Sequence, residues 1–267
     1  MSEYFEDIHE GRPIRDIEII DVHAHLGPSG SFHVPRCSSD DMVWMMDRCG
    51  IDKTIVAPTP GITGDIVFGN NMMLDAVRKH RERLYGACDV NGNYPELSVN
   101  ELHRCFEEDS DVVIMKIHPL LSKCKMSDRR MKKIYEFASE RKLFVVVHTW
   151  LDDDPYGNQD LFAEVVKDYP EINWLMGHSG GPYGGYRAVE IAQEIPNVYL
   201  DITLSMCPAR QIEFFVREVG SERVMFATDN PFIDPRPNIG RVALADISHE
   251  DRVNIFGRNA RRLIEFD

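Results

Sequence analysis

The amino-acid sequence predicts an α/β fold, a single (β/α)8 barrel of the TIM type, on three observations. Short apolar runs rich in β-branched residues recur eight times, and between them lie longer segments whose apolar residues fall three or four apart. Strict alternation of strands with amphipathic helices builds parallel sheets, and strands apolar almost throughout are buried on both faces. The third observation sets aside an open doubly wound sheet: no GxGxxG follows the first run, so nothing marks a dinucleotide crevice. Eight rounds suggest closure. No repeat, low-complexity tract or linker divides the 267 residues, so 1–267 read as one domain.

The expected strands, in order, are IEIIDVHAHLG (17–27), KTIVAPTP (53–60), LYGACDVNG (84–92), VVIMKIHP (112–119), LFVVVHTW (143–150), INWLMGHSGG (172–181), NVYLDITL (197–204) and VMFATDNPF (224–232). Helical spacing marks 40–50, 70–84, 99–109, 129–142, 159–170, 186–196 and 209–220, several of which end at Gly or Pro as helices do. The last helix is expected over 249–266, with Gly257 as a kink or early break. The loops GPSGSFHVPRCSSD, LLSKCKMSD, LDDDPYGNQD, GPYGGYRA and IDPRPNIGR are fairly short, which suits a small substrate. Met45, Met46, Met72 and Met73 sit at helical positions and read as barrel packing.

A formal net charge of -14 argues against nucleic acid and anionic lipid as partners. No run approaches the roughly 20 apolar residues of a membrane span, and the N-terminal stretch has neither a basic start nor an apolar core of a signal peptide. The six cysteines are scattered without a CxxC pair, as reduced thiols are. The expectation is a cytoplasmic protein.

The polar residues that interrupt the apolar runs fall at one end. His23 and His25 close the first run, Lys116 and His118 the fourth, His148 the fifth, His178 the sixth and Asp229 the eighth. In a barrel, that end carries the chemistry. His23 and His25 are two apart on a strand, so both imidazoles point the same way and can grip one ion. A lone HxH is more often one core histidine and one loop histidine. Chance placement at strand end after strand end is a poor account of the whole set, because buried polar groups need partners. Three histidines and an aspartate suit zinc, with manganese, iron or cobalt as alternatives where positions stay open.

As a set and in this order, DVHAHLG, VVHTW, GHSGG and ATDNPF resemble the amidohydrolase superfamily, and with the closing NIFGRNARRLIEF they are similar to its amidohydrolase-related branch, which includes aminocarboxymuconate semialdehyde decarboxylase. The resemblance spans essentially the whole chain. It implies a distorted barrel holding one catalytic divalent metal through His23, His25, His148 and Asp229, with His178 activating or steering a water rather than ligating. In binuclear relatives a carboxylated lysine of the fourth strand bridges two ions, so Lys116 decides between one and two; the branch resembled here implies one, with Lys116 unmodified. Barrels of the branch also often pair, so a homodimer is expected by resemblance.

Such an ion lowers the pKa of a bound water from 15.7 to roughly 7. Asp229 would then bind the metal and pass the water's proton to a leaving group, while His178 stabilises the developing charge. The expected activity is metal-dependent hydrolysis of a small amide or lactone. The alternative, from the same branch, is metal-dependent, non-oxidative decarboxylation of a small carboxylate, aromatic or not. A third reading, a binding module without catalysis, would need a blocked water position, of which the sequence gives no sign. Arg36, Arg187, Arg236 and Lys123 could bind a substrate carboxylate but read more simply as solvated charges. Asp152, Asp153 and Asp154 read as a helix start. His33 and Cys207 lie on loops expected to face the site.

Overall fold

The computed structural model describes residues 2–181, 185–203 and 208–266. Cys207 and part of the loop GPYGGYRA lie outside them. Eight strands form one parallel sheet in sequence order: β1 (Ile20–Leu26), β2 (Lys53–Pro58), β3 (Leu84–Val90), β4 (Val112–Ile117), β5 (Phe144–His148), β6 (Asn173–Gly177), β7 (Val198–Asp201) and β8 (Val224–Met225). The chain beyond β8 closes the ring against β1. Val22 N–H donates to Phe226 O, Asp229 N–H to His23 O and His25 N–H to Asn230 O, at 3.2, 2.9 and 2.7 Å.

The barrel interior is filled rather than open. Ile20, Val22, Ile55, Ala57, Tyr85, Ala87, Ile114, Phe144, Val146, Leu175, Tyr199, Met225 and Ala227 pack there as one buried cluster, with Phe144 and Tyr199 rings 5.9 Å apart. Outward-facing strand residues pack in a second cluster under the helices, which takes in Met46 and Met73 as expected, with Met45 and Met72 at its edge. Both faces of each strand are therefore dry, which explains the uninterrupted apolar runs. Among the described residues no helix is long and apolar enough to cross a membrane.

The strands are shorter at their carboxyl ends than the sequence suggests. His118 is not a strand residue; it caps the short helix Pro119–Ser122, its ring accepting from Leu121 N–H. His178 lies in a 3-10 turn after β6, and Asp229 four residues beyond β8, because burial continues where ladder hydrogen bonding stops. IDPRPNIGR, expected as loop, opens the helix Pro235–Leu244, started by Asp234 accepting from Arg236 N–H. The acidic triplet starts no helix: Asn158 caps Gln159–Val166.

Gly257 does not break the last helix. It sits in a π-turn, Asn254–Arg258, between the helices His249–Val253 and Asn259–Leu263. A Cβ there would stand 2.5 Å from Glu18 O, so the missing side chain lets this segment close on the residues leading into β1. Alanine would improve helix propensity by about 1 kcal/mol, but the backbone it meets cannot yield cheaply. We expect Gly257→Ala to lose about 1–2 kcal/mol net, the scale of overpacking, read as a lower urea midpoint with unchanged m-value.

Candidate metal centre

The carboxyl ends of the strands gather five of the expected residues around one point. The rings of His23 and His25 lie 5.3 Å apart, His23 and His178 5.2 Å, and His148 and His178 4.6 Å. His25 Nε2 is 2.9 Å from Asp229 Oδ1, and His148 Nδ1 is 3.1 Å from His178 Nε2. Ligand atoms of His23, His178 and Asp229 all lie within 4.8 Å of one another. Lys116 joins them from β4, its Nζ 2.5 Å from His23 Nε2. The HxH pair therefore converges as expected although the β1 register shifts between Asp21 and Ala24.

Two of these rings have their tautomers set from behind. His23 Nδ1 meets Asp201 Oδ2 at 2.6 Å, and His178 Nδ1 meets the Thr203 carbonyl at 3.0 Å. Each acceptor fixes the proton on Nδ1 and leaves the Nε2 lone pair turned inward, the usual outer support of a metal-ligating histidine. His148 Nδ1 and His178 Nε2, 3.1 Å apart, share a hydrogen bond, so the two rings meet at the same point. Two inward lone pairs, the Asp229 carboxylate beside them and a buried His25 that turns its Nε2 to that carboxylate fit a divalent cation.

The electrostatics agree. Burial pushes the pKa values of His23, His25 and His148 down, and for His23 the Lys116 charge adds to it, so these rings stay neutral and available as donors to a cation. Burial works against the Asp229 carboxylate, but the His25 hydrogen bond and the surrounding histidines hold it well below the usual range. Lys116 is pushed down to about 8 by burial, against the pull of Asp229, Asp201 and Asp89. His178 and Asp229 both have left-handed backbones, φ 63° and 64°. Non-glycine residues adopt this at a cost of order 1–3 kcal/mol, and such strain clusters at functional sites.

The rest of the supporting set was not singled out in the sequence. Asp21, fully buried, accepts from Thr228 N–H at 3.1 Å and from the Thr228 hydroxyl, which fastens the segment carrying Asp229 to β1. Thr149 ties the end of β5 to the turn after β6, donating to Gly177 O and accepting from Gly180 N–H. A carboxylate interrupting the same end of NVYLDITL, as in VMFATDNPF, is the signal that could have marked Asp201. The proposed surface cations are engaged elsewhere: Arg187 with Asp160 and Glu190, Arg236 with Asp234, and Arg36 over the Trp44 ring. Lys123 and His33 are exposed.

Phe232 stacks on His25 with ring centroids 4.8 Å apart, and Phe32 stacks on Phe232 at 4.8 Å. Phe32 is 52% exposed, so a column of three rings runs from solvent to the centre. Trp150 sets its ring edge-on to His178 at 5.1 Å, giving that side an aromatic wall too. His118 stacks on His148 at 3.8 Å.

If Asp201 and Lys116 together set the His23 tautomer, Asp201→Ala should let the ring sample both forms only where Lys116 no longer donates to Nε2. We expect nitrogen-15 spectra of the metal-free wild type to show His23 and His178 protonated at Nδ1, and Asp201→Ala combined with Lys116→Met to show a His23 mixture. Leaving a buried donor unpartnered should also cost about 1–3 kcal/mol of stability. A wild-type His23 protonated at Nε2 would contradict the assignment.

A family model described as amidohydrolase matches residues 20–266. No curated protein sequence matches the chain. Among solved structures, 2,6-dihydroxybenzoate decarboxylase from Rhizobium is similar with a TM-score of 0.75 at 16% identity, over 94% of this chain and 98% of that one. A 5-carboxyvanillate decarboxylase from Novosphingobium aromaticivorans, complexed with manganese and 4-hydroxy-3-methoxy-5-nitrobenzoic acid, gives 0.74 at 18% identity over 93% and 96%. 4-Oxalomesaconate hydratase from Rhodopseudomonas palustris gives 0.67 at 18% identity over 92% and 95%. At such identities the likeness is one of fold. The family match, which runs from the first residue of β1 through the last helix and takes in all of the clustered histidines, Lys116 and Asp229, places this chain in the amidohydrolase family.

Proposed function

We propose that the protein is a metal-dependent lyase that removes carbon dioxide from a small planar carboxylate. The observation that carries this reading is the ring column Phe32–Phe232–His25, with Trp150 beside His178: flat apolar walls at the mouth suit a conjugated or aromatic substrate better than a peptide-like amide. The decarboxylases among the similar folds support it. His23, His25, His148 and Asp229 are the proposed ligands of one divalent ion, zinc first and manganese next. When bound, it would supply the positive charge that draws a substrate oxygen into place.

The chain's own groups would do the rest. Lys116, an ammonium buried beside the centre, would hold the substrate carboxylate, a role from which Arg187 and Arg236 are withheld by their ion pairs. As the bond to the carboxylate carbon breaks, carbon dioxide leaves and the electron pair stays on the substrate carbon. A proton taken up from solvent at the His178 ring would be delivered to that carbon, with the ionised Asp229 carboxylate, an oxygen of which lies within 4.8 Å of a His178 ring nitrogen, steadying the charged ring. The half-buried aromatic wall would keep water from the intermediate carbanion.

Hydrolysis of a small amide or lactone is the second reading. It is favoured by one observation, the Asp229 carboxylate held ionised, which suits a base that takes a proton from water. Metal-loaded protein offered hydroxybenzoates, lactones and amides in deuterated water separates the two. We expect carbon dioxide and one deuterium on the product carbon. Acid release from a lactone or amide without carbon dioxide would establish the second.

Elemental analysis should find about one equivalent of divalent metal per chain, lost in His148→Ala. His178→Asn should keep most of the metal and lose at least ~100-fold in turnover, the lower end of an acid–base contribution; metal lost in step with activity would make His178 a ligand. Lys116→Ala should keep its metal and show no bicarbonate dependence while losing activity. Two ions per chain, falling in that variant, would instead mean a carboxylated lysine.

A further inference from the structure

His23 has one lone pair to give, and Lys116 is on it. Its Nδ1 is committed to Asp201, so only Nε2 can accept, and Lys116 Nζ stands 2.5 Å away. A cation and this ammonium cannot hold the same lone pair. In a loaded site Lys116, 1% exposed, must find another acceptor, because an unpaired buried ammonium is not tolerated.

The neighbouring strand carries one. Asp89 of β3 and Lys116 of β4 are register partners in the parallel ladder, so their side chains leave adjacent positions of the inner face. Asp89 is 1% exposed, and among the described residues neither of its carboxylate oxygens has a hydrogen-bond partner. Its place is nonetheless built. Asn70 accepts from Asp89 N–H at 2.9 Å and donates to Asp89 O at 3.3 Å, clamping the backbone on both sides, and its amide is tied in turn to Glu101 at 3.1 Å. The facing wall is Gly61, where any side chain would run into the Asp89 carboxylate. Burial raises the Asp89 pKa, and the Lys116 charge is the influence that lowers it. A carboxylate so held and left without a partner is a group waiting for one.

We infer that Asp89 takes the Lys116 ammonium from His23 when the site is loaded, a positioning residue that frees the His23 lone pair and turns the remaining Lys116 protons toward substrate. The inference rests on reading His23 as a metal ligand and goes beyond it by adding a residue outside the ligand set. Lys116 carries three donors, so one bond to Asp89 leaves two for a substrate carboxylate.

Zinc affinity, measured by competition with a chromophoric chelator, tests it in the wild type, Asp89→Asn, Lys116→Met and the double variant. Asp89→Asn should bind zinc about tenfold more weakly, the lower end for a group that supports a metal site from outside. Lys116→Met should bind at least as tightly as wild type, and adding Asp89→Asn to it should change nothing further. A purely structural role for Asp89 would weaken zinc in both backgrounds. Metal-free Asp89→Asn should melt no lower than wild type, because the carboxylate it removes has no partner there. Equal zinc affinity in wild type and Asp89→Asn, a loss that persists without Lys116, or a lower melting point of the metal-free variant overturns the inference and leaves the metal centre standing. A wild-type chain that binds no zinc, manganese or cobalt overturns both.

Discussion

The hydrogen bond from His23 Nδ1 to the Asp201 carboxylate, 2.6 Å long and closed to solvent, decides which nitrogen of the first histidine faces the barrel axis. Everything at the mouth follows from that direction. Nε2 becomes the inward lone pair, Lys116 can reach it, and Asp229 is drawn to within 3.9 Å of it. The bond is costly to keep, since burial raises the Asp201 pKa. It persists because Thr203 N–H donates to the same carboxylate and the end of β7 cannot relax away from it. A buried polar network of this kind rigidifies only when its members are satisfied, and among the described residues His25 Nδ1, Thr203 Oγ1 and the Asp89 oxygens are left without a hydrogen-bond partner.

The packed interior beneath supplies the rigidity. Phe144, Tyr199, Tyr85 and their aliphatic neighbours fill the barrel below the histidines, so the site rests on a floor of side chains and not over a pore. The irregular closure is equally part of the design. Were residues 226–229 to continue as regular strand, Asp229 would keep an extended backbone; the left-handed turn there is held by its N–H to His23 O and by the Thr228 bonds to Asp21. Local strain and a buried carboxylate together aim one side chain.

Lys116 links the two halves of the chemistry. As an ammonium among neutral imidazoles it opposes the charge of an incoming cation, yet the same ammonium is suited to a substrate carboxylate. Asp229, Asp201 and Asp89 all pull on it, so its position answers to what else occupies the mouth.

The number of strands, their parallel order and the residues that the candidate centre gathers were legible in the sequence, because apolar period and the placement of His23, His25, Lys116, His148, His178 and Asp229 at one end of the runs are local properties. Strand ends were not: burial continues past Met225 and past Gly177 while the ladder stops, since burial and hydrogen bonding are separate requirements. Gly257 looked like a weakness in a helix and is a point of close approach, which only the position of Glu18 O reveals. Asp89 and Asp201 stood in quoted strands without distinction, because nothing along the chain tells a carboxylate behind a histidine from one on a surface. Tertiary structure alone decided those roles, by closing β7 onto β1 across the mouth and laying β3 beside β4 in register, so that partners distant in sequence fixed one tautomer and left one buried acid unpaired.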